Sequence, residues 1–117
     1  MPTRSTLPMK QKLVWVASRT ILAVRANGEE AHVTLRIGTP YEISPDEWAC
    51  PVAMEGLQEK LHDVHGIDAW QTVQLVQSLQ TQLLGDFVEE GGSLFCHEPP
   101  EPISLDELFP RVALITS

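Results

Sequence analysis

Apolar residues recur at helical spacing over one long stretch of the chain, Ile67 to Glu90. Placed at roughly 100° per residue, Ala69, Thr72, Val73, Val76, Leu79, Leu83, Leu84 and Phe87 share one stripe, which predicts an amphipathic helix. Asp68 stands at its start as an N-cap, and Gln71 three positions on completes a capping-box pattern with Asp in place of Ser or Thr. At the far end Glu89-Glu90-Gly91-Gly92 supplies a glycine suited to a left-handed C-terminal stop. Gly85 weakens the run, at about 1 kcal/mol relative to alanine in a helix interior, and offers an earlier end near Leu84. Gln80 falls inside the apolar stripe, so its amide is expected to bond a neighbouring backbone group.

Elsewhere the pattern has the period of strands. Lys12 to Ala26 is rich in β-branched and aromatic residues, with apolar side chains at both parities around Leu13 to Val16. Such a strand is either buried on both faces or bent near Ser18-Arg19. Asn27-Gly28 is a strong hairpin signal. Ala31 to Ile37 then alternates: Val33, Leu35 and Ile37 on one side, His32, Thr34 and Arg36 on a wet side. Turns follow at Gly38-Thr39-Pro40 and Ser44-Pro45-Asp46. Glu47 to Glu55 alternates again, with Trp48, Cys50, Val52 and Met54 sharing a face; Pro51 cannot donate to a ladder, which predicts an edge or bulged strand. Gly56 to His65 is ambiguous, since Leu57, Leu61 and Val64 fit a helical spacing that leans slightly toward helix. Ser93 to His97 reads as a short strand and Glu98 to Pro102 as an extended, polyproline-like connector. Ser104 and Glu107 make a capping box for one helical turn closed by Pro110. Arg111 to Thr116 either adds a strand or hangs free.

These elements predict an α+β class: an antiparallel β-sheet of about four or five strands packed against one long α-helix, with a short C-terminal helical turn. Residues 12–97 are expected to form a single domain, preceded by a disordered start at 1–11 and followed by a Pro-rich acidic extension at 98–117.

Charge narrows the functional classes. The net charge is −8 and the pI near 4.8. That balance argues against nucleic acid, whose phosphates want a basic patch, and against anionic membranes. From Asp86 to Glu107 there are seven acids and no Lys or Arg. No apolar run reaches the roughly 20 residues of a membrane span, and Met1 to Gln11 lacks the apolar core of a signal peptide. Two cysteines, Cys50 and Cys96, make no disulfide framework and fit buried thiols in a reducing cytosol. Charge also stays off the main helix: none occurs between Asp68 and Asp86. The face opposite the apolar stripe carries Gln71, Gln74, Leu75, Ser78 and Gln82, with Trp70 beside it. A solvated helix face normally carries Glu and Lys. This one reads either as a glutamine-rich surface or as a partner surface, because uncharged amides are cheaper to desolvate than ions.

Reactive chemistry finds little to build on. His62, His65, Cys96 and His97 invite a metal site, but zinc needs convergent ligands, and neighbours along a strand point to opposite faces. No metal ligand, cofactor or catalytic residue is assigned. Cys50, in a row with Trp48, Val52 and Met54, is expected to be a buried, inert thiol. The carboxylate pairs Glu29-Glu30, Glu89-Glu90 and Asp106-Glu107 lie near turns or helix ends, where acids are solvated or help capping. No phosphate loop, Rossmann fingerprint or nucleophile elbow is present.

Four stretches, TILAVRANGEEAHVTLRIGTP, WACPVAMEGL, HGIDAWQTVQLVQSLQTQL and EEGGSLF, carry a likeness. Their order resembles that of a family of small bacterial proteins known only as a domain of unknown function. In it a β-meander leads through a W-x-C segment and a G-L pair, and a G-x-D-x-x-Q motif opens a single long helix. The matching residues are Trp48, Cys50, Gly56, Leu57, Gly66, Asp68 and Gln71, within roughly residues 15 to 97. Trp70 and the tail after Pro102 are less typical of it. The resemblance implies that Gln58 to His65 is a strand running into the helix, and it implies no catalytic residues. Two functions remain in view. One is a non-enzymatic bacterial interaction domain, acting as a homodimer or masking another protein as acidic immunity partners mask toxins. The other is a small-ligand binding module or weak enzyme, with a pocket between helix and sheet near Trp48, His62 and Trp70.

Overall fold

A computed structural model describes residues 13–110. Its first two strands, β1 (Trp15–Val24) and β2 (Glu30–Gly38), pair antiparallel about Asn27-Gly28. The Gly28 amide donates to the Arg25 carbonyl at 2.8 Å, and the Arg25 amide to the Glu29 carbonyl at 2.7 Å. Gly28 has φ +92° while Asn27 keeps a negative φ. The loop is therefore a type I turn followed by a left-handed glycine, the three-residue form of hairpin. The irregularity of β1 lies between Trp15 and Ala17, not at Ser18-Arg19. Nor is its start buried on both faces: Val14 and Val16 are exposed.

The segment expected to form one strand from Glu47 to Glu55 is two strands in two sheets. β3 (Tyr41–Ser44), β4 (Glu47–Cys50) and β6 (Val64–Gly66) make a three-stranded sheet in the order β3-β4-β6. β5 (Val52–Glu55) instead joins the edge of a four-stranded sheet, β5-β2-β1-β7, with β7 spanning Ser93–Cys96. All pairings are antiparallel. The chain changes sheet at Pro51, which has no N–H for either ladder but whose carbonyl accepts the Gly38 amide at 2.9 Å. A Cβ on Gly38 would lie 2.6 Å from the Pro51 Cβ, so the corner closes only over a glycine.

Between Leu57 and Asp63 there is neither a helix nor a continuous strand. Gln58 makes an isolated bridge to Met54, and only Val64–Gly66 is extended in a sheet. Leu57 and Leu61 pack on one core cluster, and Leu61 and Val64 on another. Their spacing thus reflects an irregular segment touching two cores.

Helix α1 (Ala69–Glu89) runs 21 residues without a break. Asp68 caps it by accepting from the Gln71 amide at 2.8 Å, and the Gln71 side chain reaches back to the Ile67 amide at 2.9 Å. The earlier end at Gly85 is not used. The helix closes instead with paired bonds from the Gly91 amide to the Val88 carbonyl and from the Gly92 amide to the Phe87 carbonyl, both 3.0 Å, with Gly91 at φ +100°. This is a Schellman motif. The buried line Thr72, Val76, Gln80, Leu84, Phe87 lies within the predicted stripe. Gln80 donates from Nε2 to the Arg36 carbonyl at 3.1 Å, the backbone bond its burial requires.

The C-terminal half of α1 lies over the four-stranded sheet. There Leu84 and Phe87 join Ile21, Ala23, Val33, Leu35, Met54 and Leu94. The N-terminal half lies over the three-stranded sheet and the corner beside it, where Val76 meets Cys50 of β4 and Val52 of β5. After β7 the chain doubles back: the Cys96 amide donates to the Glu101 carbonyl at 2.7 Å and the Ile103 amide to the Leu94 carbonyl at 3.0 Å. It then enters the short helix α2 (Leu105–Leu108), whose Ser104–Glu107 capping box is complete in both directions. Ile103, Leu105, Leu108 and Phe109 pack against the larger core. The expectations for residues 1–11 and for Arg111 to Thr116 lie outside the described residues. Among those described, no helix is long and apolar enough to cross a membrane.

Candidate interaction surface

The face of α1 turned away from both cores has no ionised side chain from Ala69 to Gly85. Gln74, Leu75, Ser78 and Gln82 are exposed along it. Gln71 is half-buried, since its amide oxygen is committed to the Ile67 N–H. At the head of the helix Trp70 is 77% exposed and the preceding Ile67 61%. A tryptophan left in water on the first turn of a capped helix forgoes much of the 150–250 Å² such rings usually bury.

Beside Trp70 lies an open groove of about 500 Å³, lined by Pro40, Ala69, Trp70, Val73, Gln74 and Gln77. Pro40 reaches it from the link between β2 and β3, at the corner where the chain changes sheet. The amides of Gln74 and Gln77 are the polar groups along an otherwise apolar wall. Of the three residues expected to share a pocket, Trp70 lines this groove. Trp48 sits half-buried on β4, opposite Glu42 and Gly66, and His62 is exposed in the irregular segment before β6; neither lines it. The contribution of Pro40 has no local signal in the sequence, because it depends on the sheet corner meeting the helix head.

Titratable side chains meet in small groups elsewhere in the fold. Cys50 is fully buried, and its thiol donates to the Gly38 carbonyl at 3.3 Å. Burial, reinforced by the nearby Asp63 carboxylate, pushes that thiol up to about 11. It therefore stays protonated at neutral pH and is a poor nucleophile. The Tyr41 hydroxyl donates to Asp63 Oδ2 at 2.5 Å. Burial first, and then the bond to Asp63 and its charge, raise this phenol to about 12. The bond ties the irregular segment to β3 across 22 positions of sequence. His65 Nδ1 lies 2.9 Å from Glu47 Oε2. His32 and His97 meet edge to face at 4.9 Å on the wet side of the larger sheet. Among the described residues, no three His, Cys, Asp or Glu side chains stand where they could hold a metal ion together.

A family model described as a domain of unknown function, DUF6968, matches residues 17–104. The chain belongs to that family. The DUF6968 match begins in β1 and ends at Ser104, the N-cap of α2, so it takes in both sheets, the whole of α1 and the groove at its head. No curated protein and no solved structure matches the chain.

Proposed function

We propose that this DUF6968 member is a non-enzymatic bacterial interaction domain that docks protein through the outer face and head of α1. The observation that carries this is Trp70, exposed beside an apolar groove on a helix face without charge. Aromatic residues in a setting free of charge are the usual anchors of protein interfaces. Self-association is the form to test first. Sedimentation velocity is expected to show a dimer that dissociates in Trp70→Ala and in Ser78→Arg, the second setting a cation in the middle of the face. A wild-type monomer at every accessible concentration would remove the dimer. The unpaired thiols Cys50 and Cys96 support a reducing compartment such as the cytosol.

The volume and lining of the groove favour a second reading, a small apolar ligand seated against Trp70 and oriented by Gln74 and Gln77. Thermal-shift screening separates the two. Stabilisation by a single compound, abolished in Trp70→Ala, supports the ligand; dimerisation without such stabilisation supports the interface.

A further inference from the structure

β1 is ten residues long, but β7 pairs with only its last four, Ile21 to Val24. Among the described residues, Trp15 to Thr20 have β2 on one side and no strand on the other. In an antiparallel ladder each residue aims its amide and carbonyl to the same side, so alternate residues of this stretch present theirs to the open side. Natural sheets blunt such an edge with charge, proline or a cover. This stretch carries one charge, on Arg19, and no proline. Val16, Ala17, Ser18 and Arg19 are all exposed along it. On the inner face a groove of about 200 Å³ runs beside the edge, and Ala17, Leu35, Ile37, Leu108 and Phe109 give it apolar walls.

The course of the chain selects the occupant. The Ile103 amide bonds the Leu94 carbonyl, and Leu94 stands opposite Ala23. Beyond α2, Phe109 lines the groove with Ala17, Ser18 and Arg19. From Ile103 to Phe109 the chain therefore travels along β1 from Ala23 toward Trp15, antiparallel to it, and arrives at Pro110 beside the unpaired stretch. The next residues, Arg111 to Ser117 (RVALITS), carry no charge after Arg111. Val112, Ile115 and Thr116 are β-branched and favour extended backbone. At about 3.3 Å per residue the segment spans roughly 23 Å, against about 20 Å for Trp15 to Thr20. We propose that residues 111–117 cover this edge, adding to the sheet as a strand antiparallel to β1 along Trp15 to Thr20. Val112 and Leu114 fill the groove. That parity sends Arg111 to the outer face, away from Arg19, which lines the groove.

The test is amide exchange read by NMR on the full chain, together with nuclear Overhauser contacts across the new pairing. The open-side amides of Trp15 to Thr20 are expected to be protected in the monomer at every protein concentration, with contacts from residues 111–117. Ala113→Pro and Leu114→Pro are neighbours in a strand, so one of the two must remove an amide that faces β1. In that variant the open-side amides should exchange about tenfold faster or more, the scale of one or two lost hydrogen bonds. The amides of Val76 and Leu84 in α1 should stay slow in both variants, since neither proline enters the two cores. Trp70→Ala should leave the protection of Trp15 to Thr20 unchanged, which keeps this contact separate from the face of α1. Fast exchange of the open-side amides in the unaltered chain overturns the proposal. So does protection that survives both prolines, or contacts that come from residues 1–12 instead. Protection that grows with protein concentration would make a second copy the occupant and overturn it as well.

Discussion

The two halves of α1 cover two sheets of different character. Over the four-stranded sheet the helix contributes Leu84 and Phe87 to a cluster of eight buried residues, closed further by α2. Over the three-stranded sheet and the Pro51 corner it contributes Val76 to a cluster of three, in which Cys50 belongs to β4 and Val52 to β5, at the edge of the larger sheet. The strands follow the same division: nine or ten residues in the main hairpin, three or four in the small sheet. Apolar burial scales with the area removed from water, so the larger end holds most of the fold's stability. The smaller end leaves surface to spare, and the open groove and Trp70 are found there.

Substitutions can break or sharpen that contrast. Leu84→Ala, at a fully buried site in the larger cluster, is expected to cost about 2–5 kcal/mol in chemical denaturation, through lost burial and the cavity left behind. A loss no greater than that of an exposed helix position would mean the larger core does not dominate. Gly38→Ala strikes the seam between the sheets, where the new methyl meets the Pro51 ring, and should cost about 1–3 kcal/mol. Removing the cap at the small-sheet end, by Asp68→Ala, should cost about 1 kcal/mol. The subtlest effect is one of pH. The Cys50 thiol is raised in the folded chain to about 11 from an ordinary value of 9.0, so burial favours the protonated form. Its contribution is whole below pH 9 and fades as pH climbs toward 11. Melting temperature should drop across that alkaline window more in the wild type than in Cys50→Ala. An equal drop would show that the small core does not shield its thiol.

Local signals made α1 legible. Asp68 and Gln71 mark its start, and Gly91-Gly92 its stop, within a few residues of the bonds they form. The stripe of Val76, Leu84 and Phe87, and the bonded fate of Gln80, follow from the 3.6-residue period alone. Trp70 was legible as a side chain standing outside that stripe. Where partners lie far apart in sequence, the reading failed or stayed open. Pro51 announces a break in pairing, but a change of sheet depends on Gly38 arriving to meet it. Leu57, Leu61 and Val64 have a helix-like spacing because two cores pull on one irregular segment. The Tyr41–Asp63 bond that fixes this segment has no local cue, and neither does the approach of Pro40 to the helix head.

An unbroken α1 also acts as a splint. The strands bend from one sheet to the other at Gly38 and Pro51, a seam that would otherwise flex like a hinge. A stiff rod fastened to both leaves removes that freedom, and the angle between the sheets is then held by the rod's seating on each leaf. A partner that gripped Trp70 at the head of the rod, as proposed above, would therefore have leverage on the lesser leaf, while the greater one stays anchored.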